Sequence, residues 1–196
     1  MIRSTLLVLT LLAQSCAMTR TIDDLDPFEP AAGFPHAAAV ELVLAPGLAE
    51  TVVRVELADT FVAHLGPTLV VDAEATIRAA FAQVSLPTPE EKRGAAGKHG
   101  TLTLRFVGSA TDASLGAFSD ATTTIDIEWT LEGRSGDLVW VGTIRGTGVA
   151  ASGNAFNARS KAEKRFQLAL DDVFAKSLET LRTAPEIRAW VAGGTR

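Results

Sequence analysis

Hydrophobic positions change their period several times along the chain, and each change marks an element. Ile125, Ile127, Trp129 and Leu131 alternate with Asp126, Glu128 and Thr130, the pattern of a strand buried on one face. Leu102, Leu104 and Phe106 alternate with Thr103 and Arg105, and Val53, Val55 and Leu57 with Arg54 and Glu56. The run from Ala37 to Leu44, ended by Pro46-Gly47, reads as a further strand. Gly133-Arg134-Ser135-Gly136 supplies a hairpin loop, and a return strand from Asp137 to about Thr147 follows. Its Leu138, Trp140 and Ile144 are expected on one face. Gly142, Gly146 and Gly148 weaken this strand and mark a bulge or a close approach of backbone.

Two stretches have helical spacing instead. From Gly66-Pro67, Leu69, Val70, Ala73, Ile77, Ala80, Phe81 and Val84 recur every three or four residues, which predicts one helix stopped by Pro87 and Pro89. From Arg159 to Arg182, Ala162, Phe166, Ala169, Leu170, Val173, Phe174, Ser177, Leu178 and Leu181 make a broad apolar stripe. Ser160 and Glu163 have the spacing of a capping box at its start. Pro185 opens a short final turn through Trp190. Residues 58–66 are ambiguous, and Glu90 to Gly100 reads as a charged, glycine-containing loop.

Strands in hairpin order with two long helices predict an α+β domain. It should be a two-layer sandwich, a mostly antiparallel sheet with both helices on one face, occupying residues 35–192. No internal repeat or heptad is evident.

The N-terminus has a different character. Arg3 precedes the apolar run Leu6 to Leu12, and small residues follow at Ala13 and Ser15, the order of a signal peptide over residues 1–15. The run is far shorter than the ~20 residues a spanning helix needs. Cys16, the sole cysteine, sits where a lipobox cysteine would. Leu12-Ala13-Gln14-Ser15-Cys16-Ala17 resembles a bacterial lipoprotein precursor, in which the cysteine receives diacylglyceryl and acyl (palmitate-type) chains that partition into the bilayer. The sequence departs from that motif at Ala13, where leucine is usual, and at Gln14, where a small residue is usual. Cleavage by signal peptidase I after Ser15 or Ala17 would instead release a soluble periplasmic or secreted protein. The sorting convention of that family points Ala17, after the cysteine, to the outer membrane. Residues 16–34, acidic with prolines at 27 and 30, read as the lipidated N-terminus and a flexible tether.

Charge and candidate chemistry narrow the function further. A net charge of −5 is unlike the basic stripe of a nucleic-acid binder, so no nucleic acid partner is expected. Lys161, Lys164 and Arg165 read as a solvated helix face. One cysteine cannot form a disulfide within the chain, and three scattered histidines, His36, His64 and His99, do not cluster as zinc ligands. His64, the histidine with apolar neighbours, reads as structural rather than catalytic. The adjacent carboxylates Asp171-Asp172 and Glu90-Glu91 read as solvated surface, and Asp171 and Asp172, as helical neighbours ~100° apart, are not expected to share one site. The glycines of residues 142–153 lack the order of a P-loop or dinucleotide site. Trp129 and Trp140 read as core packing or a cross-strand pair rather than a binding platform. No catalytic, cofactor-binding or metal residue is assigned, and Cys16 is the one candidate modification site.

From Ile125 to Trp190, the alternating strand, the hairpin, Leu138-Val139-Trp140 with Gly142, and the long helix Ala162 through Leu181 resemble the small outer-membrane lipoproteins of the YajG type. More loosely they resemble the α+β lipoproteins that assist export machines. The resemblance covers about a third of the chain. It implies a non-enzymatic envelope lipoprotein, anchored by lipid in the outer membrane and facing the periplasm, that acts as an accessory or scaffold subunit with an envelope protein or its own copies. The alternative is a periplasmic lipid or small-molecule carrier. A well-filled core would favour docking, and a deep apolar cleft would favour carriage.

Overall fold

A computed structural model describes residues 18–23, 25–57, 59–86, 99–113, 120–151 and 157–193. Cys16, the signal-peptide region and Glu90-Glu91 lie outside the described residues. The order is β1 (Thr19–Ile22), β2 (His36–Leu44), β3 (Val52–Glu56), β4 (Thr60–His64), α1 (Gly66–Ala80), β5 (Phe81–Ser85), β6 (His99–Ala113), β7 (Asp120–Gly133), β8 (Leu138–Ala151), α2 (Ala158–Thr183) and α3 (Pro185–Ala192). The α+β class holds, in two sheets rather than one: β5-β2-β6-β7-β8 and a smaller β1-β4-β3.

The large sheet is mixed. β6, β7 and β8 form antiparallel ladders, whereas β2 runs parallel to both β5 and β6. A parallel neighbour needs a crossover, and α1 carries the chain back to start β5 in the direction of β2. This corrects the extent of the first helix. It ends at Ala80, and Phe81 and Val84, expected on its face, belong to β5. Phe81 is buried and its ring lies against His36 of the paired strand, so a tertiary partner outweighs the helical spacing.

β7 fulfils its alternation along its whole length: Ala121, Thr123, Ile125, Ile127, Trp129 and Leu131 are buried. Every residue of the predicted stripe on the long helix is buried as well. The helix packs on the β7–β8 hairpin, and glycine makes the fit possible. A Cβ on Gly146 would run into the Ala169 carbonyl and Val173 of α2, and one on Gly148 into the Arg165 carbonyl. Gly146 and Gly148 therefore mark a close backbone approach, whereas Gly142 lies against the Trp140 side chain. Ile22, Val53, Phe61 and Ala63 of the smaller sheet join the same continuous core.

Three local expectations need correction. Leu138 faces solvent, because an irregularity between Leu131 and Glu132 in the β7–β8 register shifts it off the face it would share with Trp140. The capping box does not form: α2 starts at Ala158, and the Ser160 hydroxyl donates to the Asn157 carbonyl. Arg165, expected on a solvated face, is buried at the inner edge of the stripe, although Lys164 is exposed.

Candidate functional site

The N-terminal segment builds one wall of the site. Residues 16–34 read as a lipidated N-terminus and flexible tether; of these, residues 18–23 and 25–34 lie along the domain. β1 pairs in parallel with β4, and Arg20 holds Asp59 at 2.7 Å. Residues 25–35 then form a strap over the helices. Asp26 N–H donates to Gln167 Oε1 (2.7 Å), and Gln167 Nε2 donates back to the Asp26 carbonyl (3.0 Å). Phe28 N–H donates to Asp72 Oδ1 (2.8 Å), and its ring stacks on Phe174 with centroids 6.1 Å apart. Arg182 Nη2 donates to the carbonyls of Ala31 (3.3 Å) and Ala79 (3.0 Å). Apolar contact and hydrogen bonding to its backbone thus hold this Pro-containing segment against the domain.

Between the strap, α2 and the outer edge of β8 lies an open groove of about 1000 Å³. Asp26, Pro27, Phe28 and Glu29 form one wall, and Thr147 and Val149 of β8 the other. Gln167, Leu168, Asp171, Asp172 and Ala175 of α2 line the rest. Asp171 and Asp172, expected as unrelated surface, both reach this groove by different routes. Asp171 Oδ1 accepts from Gln167 (3.0 Å) toward the strap. Asp172 Oδ2 accepts from Thr147 N–H (2.8 Å) and Lys176 (2.6 Å) toward the strand. Lys176 also donates to the Arg145 carbonyl (3.1 Å). Two helix side chains thereby satisfy outward backbone groups of an edge strand, which would otherwise invite uncontrolled pairing.

Behind the strap, Asp72 is completely buried. Burial pushes its carboxyl up to about 7, opposed by the Phe28 N–H and reinforced by the charge of Asp171. Its Oδ2 and the Thr76 hydroxyl, one turn along α1, have no hydrogen-bond partner among the described residues. Among the described residues Arg165 is the other buried charge, and its Nε and Nη1 have no partner there; desolvation lowers its pKa.

The remaining candidates lie apart from the groove. His64 is exposed at the end of β4 with Nδ1 3.0 Å from Asp23 Oδ1, a surface pair rather than a core histidine. His36 Nε2 donates to the Leu181 carbonyl (3.0 Å), and His99 Nε2 is buried without a partner among the described residues. Trp129 is core: its Nε1–H donates to Ser177 (3.0 Å), whose hydroxyl donates to the Val173 carbonyl (2.7 Å). Trp140 lies along its own strand over Gly142. Among the described residues no three His, Cys, Asp or Glu side chains converge as a metal site, and no helix is long and apolar enough to cross a membrane.

Sequence reasoning missed Asp72, Arg165 and the strap. A signal for Asp72 was present, since an aspartate falls between Leu69, Ala73 and Ile77 on the apolar face of a helix.

No protein-family model matches the chain, and no curated protein is detectably similar to it in sequence. Solved structures are similar in fold. A Helicobacter pylori protein described as a candidate homolog of a neuraminyllactose-binding hemagglutinin superposes with a TM-score of 0.50 at 11% identity, covering 86% of this chain and 97% of that one. A Xanthomonas campestris protein of the DUF330 family gives 0.48 at 14%, covering 81% and 92%. A minor lipoprotein from Acinetobacter baumannii gives 0.46 at 10%, covering 76% and 92%. The YajG-type resemblance rests on the pattern of residues 125–190 alone.

Proposed function

We propose that this protein is a non-enzymatic, lipid-anchored accessory subunit of the cell envelope, held to the outer membrane through Cys16 and facing the periplasm. It docks on a protein partner through the face that carries the groove. One observation supports docking over carriage. Trp129, Phe166, Phe174 and their neighbours fill the space between helices and sheet, and the groove is an open surface feature outside that core. A carrier would enclose its ligand in an apolar cavity. The lipobox-like sequence around Cys16 supports the anchor.

The anchor is tested by feeding cells labelled palmitate. Label should enter the wild type, and Cys16→Ser should abolish it and release the domain to the soluble fraction. A mature N-terminus at Met18 without label would replace anchoring by secretion. Docking is tested in cells with a photo-crosslinking residue at Val149 or Leu168 in the groove, and at Val52 on the smaller sheet as a control. Protein adducts from the groove positions are expected. Lipid adducts there would favour carriage, and an absence of adducts at all three would refute docking.

A further inference from the structure

The groove has a chemistry that specifies what it accepts. Its floor and walls present Phe28, Val149, Leu168 and Ala175, and of these Val149 and Leu168 expose 47% and 37% of their surface. Around them stand Asp26, Glu29 and Asp171, while the nearby ammonium of Lys176 is already held by Asp172 at 2.6 Å. An occupant must therefore combine apolar contact with positive charge.

The third wall adds a directional requirement. Among the described residues β8 is the last strand in its sheet, with β7 on one side only. Thr147 N–H and the Arg145 carbonyl, two residues apart, both turn away from β7 to side chains of α2. Backbone groups in a strand repeat their direction every second residue, so Val149 presents its N–H and carbonyl on that same outer side. Among the described residues no side chain covers them as Asp172 and Lys176 cover the strand at Arg145–Thr147. An extended backbone laid in the groove can pair with Val149, and its alternate side chains then turn toward the carboxylates of the strap and helix.

We propose that the groove binds an extended polypeptide segment of the partner in which basic residues alternate with apolar ones, the segment lying beside Val149 at the β8 edge. This rests on the docking reading above and deepens it. Charge favours a basic strand over an acidic or neutral one. The edge backbone favours a polypeptide over a small polyamine, which has no amide ladder to offer.

The test uses the full-length protein in detergent and a fluorescent seven-residue peptide of alternating lysine and valine, read by anisotropy. Binding is expected to weaken about tenfold in the double variant Asp26→Asn/Glu29→Gln. Both side chains are exposed, and the strap contacts of Asp26 are made by its backbone, so the fold should persist by circular dichroism. Raising salt from about 0.05 to about 0.5 M should weaken binding as well, because the charges are exposed. N-methylation of alternate amides should cost a similar factor. The proposal is overturned if a glutamate–valine peptide binds as tightly, if the double variant or N-methylation changes nothing, or if spermidine binds where the peptide does not. Groove crosslinks in cells without lysine–valine binding would leave docking standing and remove the basic segment. No crosslinks at any position would remove docking itself.

Discussion

Asp72→Asn isolates one buried carboxyl and has a calculable consequence. In the folded chain the group is fully buried on α1, accepts the Phe28 N–H at 2.8 Å through Oδ1, leaves Oδ2 unpartnered, and titrates at about 7 against an ordinary 3.8. Between pH ~4 and ~7 the folded state therefore holds a proton that the unfolded chain has released. Stability falls as pH rises through this window, by at most ~1.4 kcal/mol per pH unit, and levels off above it. The whole window corresponds to about 4 kcal/mol, a large part of the 5–15 kcal/mol that holds a typical domain together. Asparagine is nearly isosteric, keeps an oxygen for the Phe28 N–H, and cannot ionise. Urea unfolding of both proteins from pH 4.5 to 8 is the assay, because the other carboxylates are common to the two and, apart from Asp171 whose charge acts on Asp72, cancel in the difference. The variant should match the wild type within ~1 kcal/mol at pH 4.5 and exceed it by up to ~4 kcal/mol at pH 8. Parallel curves across the range would refute the buried, proton-holding carboxyl.

The other predictions concern packing. Gly148→Ala places a methyl group against the Arg165 carbonyl of α2 and should cost about 3 kcal/mol, read as a drop in Tm, whereas Thr143→Ala on the outward face of β8 should change little. Equal small effects would mean that the helix does not approach the strand closely. Phe174→Ala should cost about 3–5 kcal/mol and also loosen the strap, seen as faster proteolysis near residue 28, while the exposed Lys164→Ala should be neutral. Similar small losses for Phe174→Ala and Lys164→Ala would mean that the stripe is not core.

Much of the fold was legible because period and burial are coupled within single elements. The stripe from Ala162 to Leu181 and the alternation from Ile125 to Leu131 each bury one face whatever partner they meet, and both appear as read. The glycines at 146 and 148 were legible as a bulge or a close approach, and only the structure shows which, an approach of α2. The groove was not legible. Asp26 and Gln167 are 141 positions apart, and Phe28 and Asp72 are 44, so no local pattern joins them.

By itself, then, the sequence determined which segments are amphipathic and, at Pro46-Gly47 and Gly133-Arg134-Ser135-Gly136, where the chain turns. Tertiary structure decided where those segments stop and what they do for one another. Phe81 left a helical pattern because pairing with β2 offered burial and a strand ladder. An acidic Pro-containing stretch became a strap because Phe28 found Phe174 and its N–H found Asp72. Asp171 and Asp172, divergent on their helix, came to line one groove because a strap closed one side and an edge strand the other. Residue chemistry is local, but the free energy of burial depends on what the rest of the chain brings alongside.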